Sequence, residues 1–215
     1  MSKKIGIIGT GAVGQALAAG FLKHGYTVQM ATRHPENIAD WLKEHPDVRT
    51  GTHKDVAAWA ELVVLAVKGT AAEAAVRLCD AKDLAGKTVI DATNPIADAP
   101  PENGVLKFFT TLEDSLMERL QKVNPDAHFV KAFNSVGNVF MVDPGFGGVK
   151  PTMFICGNDA DAKKEVTALL DGIGWEAEDM GGVEAARAIE PLCILWCIPG
   201  FIRNQWTHAF KLLKK

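Results

Sequence analysis

Along the first two thirds of the chain, short apolar runs, several of them continuously apolar, alternate with stretches whose apolar residues recur at helical spacing. KIGIIG (4–9), YTVQMA (26–31), LVVLAV (62–67), KTVIDA (87–92) and HFVKAF (128–133) read as strands. A strand apolar at every position is buried on both faces, the mark of a parallel sheet covered by helices above and below. Between them, helices are predicted over 12–24 (closed by Gly25), 36–44 with Trp41 and Leu42 inward, 54–60, 70–78 and 112–122, with a weak strand at 47–50. DATNPIADAPPENG (91–104) is the longest turn-rich stretch and reads as a loop. From about Gly145 the pattern changes. GFGGVKP reads as a linker, TMFICG (152–157) as a strand, 159–171 as a helix and GWEAEDM as a short strand. A helical tail should run from about Val183, bent or interrupted near Pro191 and Pro199. The expected class is α/β: a doubly wound parallel sheet over residues 1–145 and a small C-terminal α/β extension with a long helical tail over 146–215.

Length and charge narrow the function classes. A chain of 215 residues suits one substantial core, or one domain with a small appendage. A net charge of −3 offers no footprint for nucleic acid or for an anionic membrane. The N-terminus passes from two lysines directly into a strand, so no targeting segment is expected. AIEPLCILWCIPGFI (188–202) is the most apolar late stretch. It holds a glutamate and two prolines and falls short of the roughly 20 apolar residues of a spanning helix, so it reads as a buried or interface helix, with no membrane partner expected. Cys79, Cys156, Cys193 and Cys197 include no CxxC and read as reduced thiols of a cytoplasmic protein. No histidine cluster accompanies Cys193 and Cys197, so core packing is expected of them and no metal. Trp196, Ile198, Phe201, Ile202 and Trp206 are more apolar surface than a small monomer easily hides. A homodimer is expected, with core packing of the same residues as the alternative.

The chemistry is concentrated at three places. Gly9-Thr10-Gly11-Ala12-Val13-Gly14 is a GxGxxG that follows a predicted strand and opens a predicted helix. In that context Gly9 permits the tight turn, Gly11 admits a pyrophosphate close to the backbone, and Gly14 lets helix and strand pack closely, so the segment reads as a dinucleotide loop. The helix N-terminus offers free N–H groups to the phosphates. The second place is QMATRHP (29–35), where an NAD site would carry a carboxylate for the ribose hydroxyls and this chain carries Thr32, Arg33 and His34. A guanidinium welcomes a 2′-phosphate that a carboxylate would repel, so the expected coenzyme is NADP(H).

The third place is the set of strand ends that should face the nicotinamide: Ala66, Val67 and Lys68; Asn94 and Pro95; and Asn134, a candidate for orienting a small-molecule redox substrate. The six histidines are dispersed and read mostly as surface groups. Carbonyl reduction needs a proton donor beside the carbonyl, whereas hydride transfer to an isoalloxazine-like ring does not.

IGIIGTGAVGQALAAGFLKHGYTV, MATRHP, DATNPI, VKAFNSVG (130–137) and GGVEAARAIEPL (181–192) together resemble the NADPH-dependent F420 reductases, across nearly the whole chain. That resemblance implies a Rossmann-like N-terminal domain, a small C-terminal domain and a cleft between them. It implies coenzyme contacts at Thr10, Val13, Thr32, Arg33, Ala66 and Val67, and F420 or a flavin-like ring as second substrate. Ferric reductases of membrane type carry a similar soluble domain, but their spanning helices are not expected here. Two rivals stand beside this reading: an NADPH-dependent imine or carbonyl reductase, and a non-catalytic NADP-sensing protein.

Overall fold

The computed structural model describes residues 2–215. Six parallel strands form the main sheet: β1 (Lys4–Ile8), β2 (Thr27–Ala31), β3 (Arg49–Gly51), β4 (Leu62–Leu65), β5 (Thr88–Asp91) and β6 (His128–Lys131), in the order β3-β2-β1-β4-β5-β6. The order reverses beside β1, which makes the crevice above β1 and β4 the place where such a sheet takes a ligand. Leu62 to Leu65 are all buried, as are residues 5–8 of β1, which explains the unbroken apolar runs. The β3 edge holds only three residues and is largely exposed.

Helices α1 (Ala12–Lys23), α2 (Ala39–Glu44), α3 (His53–Trp59), α4 (Gly69–Leu78), α5 (Ala81–Leu84) and α6 (Leu116–Val123) cover the two faces. The predicted helix at 112–122 starts later than its periodicity suggests. Ser115 accepts from the Glu118 amide while Glu118 accepts from Ser115, a reciprocal cap that fixes the first turn, and Leu112 stays exposed ahead of it.

A second sheet pairs β7 (Thr152–Ile155) with β8 (Glu176–Asp179) in parallel around α7 (Ala160–Gly172). One bridge joins the sheets, Lys131 opposite Cys156. The apolar core is continuous across them: Ile90 and Val130 belong to the same cluster as Met153, Val166, Leu170 and Trp175.

The tail departs from the sequence reading in two ways. First, α8 (Ala186–Ile189) and α9 (Leu192–Arg203) belong to one helical run, Val183–Arg203, of 21 residues and mean hydropathy 1.5. By length and composition that run could cross a bilayer, and a third of its most apolar window is buried here. The break expected near Pro191 is present as a turn at Glu190 and Pro191 between α8 and α9, whereas Pro199 lies inside α9 and does not end it. Second, the helix stops at Arg203. Asn204 takes a left-handed conformation, and the remaining residues run alongside β7, where Thr152 donates to Phe210 O (2.8 Å) and accepts from the Leu212 amide (3.0 Å). This return leg covers part of the apolar face. Trp206 packs at a tilt beside Trp196, whose indole N–H donates to His208 O at 2.8 Å. Cys193, Cys197, Leu106 and Trp196 share a small buried cluster, while Leu195, Phe201 and Ile202 remain exposed.

Candidate functional site

The glycine loop does three different things. Gly9 has φ +123°, and a Cβ on it would lie 2.4 Å from Ala66 O, so this turn requires glycine. A Cβ on Gly14 would lie 2.3 Å from Gly9 O, so α1 packs directly on the loop. A Cβ on Gly11 would meet nothing within 4 Å: this backbone borders the open crevice. No side chain caps the N-terminus of α1, so its first amides keep their capacity for an anion.

At the outer end of the crevice a cavity of about 300 Å³ is lined by Gly9, Thr10, Gly11, Thr32, Arg33, His34, Ala66, Val67 and Lys68. All were expected along the coenzyme crevice, Ala66, Val67 and Lys68 at its nicotinamide end, and these three line both cavities. Asn37 and His53 also line it and were not singled out from the sequence. The turn is internally braced. Thr32 donates its amide to Gly51 O (3.1 Å), and its hydroxyl oxygen accepts from the His34 amide (3.0 Å). His34 Nδ1 faces Glu36 at 3.0 Å. Arg33 is exposed and, among the described residues, enters no ion pair. His53 begins α3, half-buried, and burial together with the Arg33 charge lowers its pKa, so the ring is neutral at neutral pH. Its signal in the sequence was its place directly after a strand end, obscured by the weakness of that strand.

At the inner end a mostly apolar cavity of about 340 Å³ is lined by Gly11, Ala12, Val13, Ala66, Val67, Lys68, Gly69, Ala92, Thr93, Asn94 and Ile96. Three expected residues do not line either cavity. Gly14 is packed on Gly9, and Pro95 is buried behind Asn94, with its carbonyl accepting from Phe109. Asn134 is 2% exposed and stands behind the wall rather than in it. Its carbonyl accepts from Asn94 Nδ2 (2.8 Å) and its own amide donates to Ile189 O (2.9 Å). Phe133, at φ +64°, turns the chain at this point. That conformation is costly for a bulky residue, and strain of this kind gathers at working sites. The side-chain oxygens of Asn94 and Asn134 are buried without a partner among the described residues. Lys68 is paired with Asp98 rather than lying free.

Behind this wall lies an ionic cluster that the sequence did not disclose. Lys131 Nζ is fully buried and donates to Asp91 Oδ2 (2.9 Å), Glu190 Oε1 (3.1 Å) and Thr93 O (2.7 Å). Asp91 also accepts from the Thr93 amide and hydroxyl, and Glu190 accepts from the Leu116 and Met117 amides, both at 3.0 Å. Burial alone would pull the Lys131 pKa down; the two facing carboxylates more than offset it and leave the pKa raised. The cluster fixes the β5 and β6 ends to the tail helix, and through Thr93 it fixes the cleft wall.

Residues 4–95 match the family described as "NADP oxidoreductase coenzyme F420-dependent". A solved structure from Arthrobacter sp. FB24, assigned as an F420-dependent NADP-reductase, is 35% identical, with 99% of this chain and 100% of that chain covered at a TM-score of 0.92. The rat (Rattus norvegicus) protein named metalloreductase STEAP3 is 28% identical over 202 residues, which is 91% of this chain and 38% of the relative. The chain thus spans little more than a third of the curated relatives it matches first. An Aspergillus terreus imine reductase, solved with NADPH4 and dibenz[c,e]azepine, is 17% identical at a TM-score of 0.68, with 95% of this chain and 64% of that chain covered; it shares the fold.

Proposed function

Because the chain belongs to the F420-dependent NADP oxidoreductase family, we propose that it binds NADP(H) along the crevice and transfers hydride between the nicotinamide and a planar acceptor of the deazaflavin or flavin class. The observation that carries the coenzyme choice is the outer cavity. A guanidinium without a partner, a threonine hydroxyl and two imidazoles surround it, no carboxylate lines it, and Glu36 beside it in sequence is turned to His34. Arg33 offers a fork of donors to a 2′-phosphate, with the Thr32 hydroxyl beside it. Gly11 leaves room for the pyrophosphate, and the α1 amides meet its charge.

Bound NADPH would supply the hydride. The protein's own contribution at the inner end is shape. Ala12, Val13, Ala66, Val67 and Ile96 present apolar surface to two stacked rings and keep water out. The polar groups on that wall are few. The Thr93 hydroxyl already donates to Asp91, Asn94 is a neutral amide, and the Lys68 ammonium is paired with Asp98. This wall supports ring-to-ring hydride transfer over imine or carbonyl reduction, which calls for a positioned acid. Association into a homodimer through the exposed side of α9 (Leu195, Phe201, Ile202) is part of the same proposal.

The test is oxidation of NADPH against a panel of acceptors: F420, free flavins, a quinone, a ferric chelate and cyclic imines. Turnover with F420 or a flavin and none with imines is expected. Turnover with imines alone, or tight binding of NADPH with no turnover on any acceptor, overturns the proposal. Light scattering that returns the 23.1 kDa mass of one chain removes the homodimer.

A further inference from the structure

We propose that His53 is a second specificity residue for the 2′-phosphate, and that it makes coenzyme choice proton-linked: the phosphorylated coenzyme binds together with a proton, and the unphosphorylated one does not. The inference rests on the NADP(H) reading of the outer cavity. It begins from position. His53 lines that cavity from the β3 side, across from the Thr32-Arg33-His34 turn, and among the described residues its ring makes no hydrogen bond. Two cations converging on one cavity from different elements repel each other when the cavity is empty of anions, and both gain when a dianion enters.

The other charged groups around α3 are engaged elsewhere. On α3 itself, Lys54 pairs with Asp80 at 2.8 Å and Asp55 accepts from Thr52 at 2.7 Å. After β2, His34 faces Glu36, and ahead of α4, Lys68 is paired with Asp98. Arg49 on β3 and Asp83 on α5 lie on neighbouring elements, but Arg33 is the charge that acts on His53, adding to the burial that keeps the ring neutral. A 2′-phosphate placed against Arg33 reverses that balance. It cancels the guanidinium and rewards a protonated imidazole with a charge-assisted hydrogen bond. Binding therefore draws a proton onto His53. By linkage, affinity for NADPH then falls as pH rises through the range where the ring of the complex deprotonates.

The phosphate's own second ionisation, near pH 6, acts with the opposite sign, because the dianion gains charge as pH rises. A non-titrating variant keeps that contribution and loses the histidine's. The experiment is calorimetric titration of the full chain with NADPH and with NADH at pH 6 and pH 8, for the unmutated protein and for His53→Gln. The NADPH titration is repeated in buffers of different ionisation enthalpy, so that proton uptake is read without any mutation. We expect the unmutated protein to prefer NADPH and to lose affinity for it on the order of tenfold between the two pH values, the lower end of a hydrogen bond to a charged group. NADH affinity should stay level, and His53→Gln should abolish the loss and the proton uptake. A His53→Gln protein that keeps the same pH slope and the same proton uptake overturns the inference while leaving the NADP(H) reading intact. An unmutated protein that binds NADH and NADPH equally at both pH values overturns that reading itself.

Discussion

At the outer end of the crevice Arg33 and His34 stand in solvent on a short turn, while at the inner end Lys131 and Asp91 are wholly buried behind Asn94. The outer groups cost little to hold, because water solvates them until a ligand arrives. The inner ions were stripped of water when the chain folded, and only mutual pairing and the full set of amide and carbonyl partners make them tolerable. The contrast teaches where each end can change. Outer side chains can change without disturbing the fold; those of the buried cluster behind the inner wall cannot.

The largest effect should come from Lys131→Met. It leaves Asp91 and Glu190 buried and uncompensated, a defect of about 3–5 kcal/mol, read as a lower denaturant midpoint. A midpoint within error of the unmutated protein would mean that the cluster is not the anchor described here. Next comes Arg33→Ala, which should weaken NADPH binding by about 1.5–3 kcal/mol while leaving NADH affinity and the unfolding midpoint where they were. A comparable loss for NADH would erase the distinction between the two ends.

Gly69→Ala tests the junction between them. Its new Cβ would fall 1.9 Å from Asn94 O, so either α4 or the wall must move, at about 1–3 kcal/mol. We expect kcat to fall more than NADPH affinity; the reverse order would put the coenzyme, not the acceptor, against that wall.

The smallest effect concerns acid. The Arg187 fork, with Ser115 assisting, holds the Glu118 carboxyl well below its usual range, at about 2, although burial pushes the other way. A depressed carboxylate stabilises the folded chain at pH values above about 4.3, its unfolded-state pKa, and that contribution drains away as pH falls toward 2. Arg187→Gln should therefore lower the unfolding midpoint at pH 7 and leave it nearly unchanged near pH 2. An equal deficit at both pH values would assign Arg187 to packing instead.

The outer end was largely legible in the sequence because its chemistry is local. GxGxxG and QMATRHP each lie within a single turn, and their consequences follow from backbone geometry and charge. His53 escaped because its strand, β3, is three residues long, which left no confident strand end for it to follow. At the inner end Ala66, Val67, Lys68 and Asn94 were legible as strand ends, but the ionic cluster behind them was not, for the opposite reason. Lys131 sits in an otherwise apolar run, and its two carboxylates lie 40 and 59 residues away, so nothing near it in sequence announces an ion. Asn134 was placed correctly at a strand end, but the left-handed turn at Phe133 directs it behind the wall. The tail misled because helical periodicity continues past Arg203, whereas Asn204 supplies the left-handed residue that stops a helix.

Glu190 carries one more implication. It holds the amides of Leu116 and Met117, residues 74 and 73 positions earlier in the chain. On a ribosome adding roughly 5–20 residues each second, the first turn of α6 emerges several seconds before the carboxylate that completes it. During that interval Lys131 and Asp91 have each other but lack their third member, so the sheet can assemble early while the inner wall of the crevice waits for Glu190 to be made.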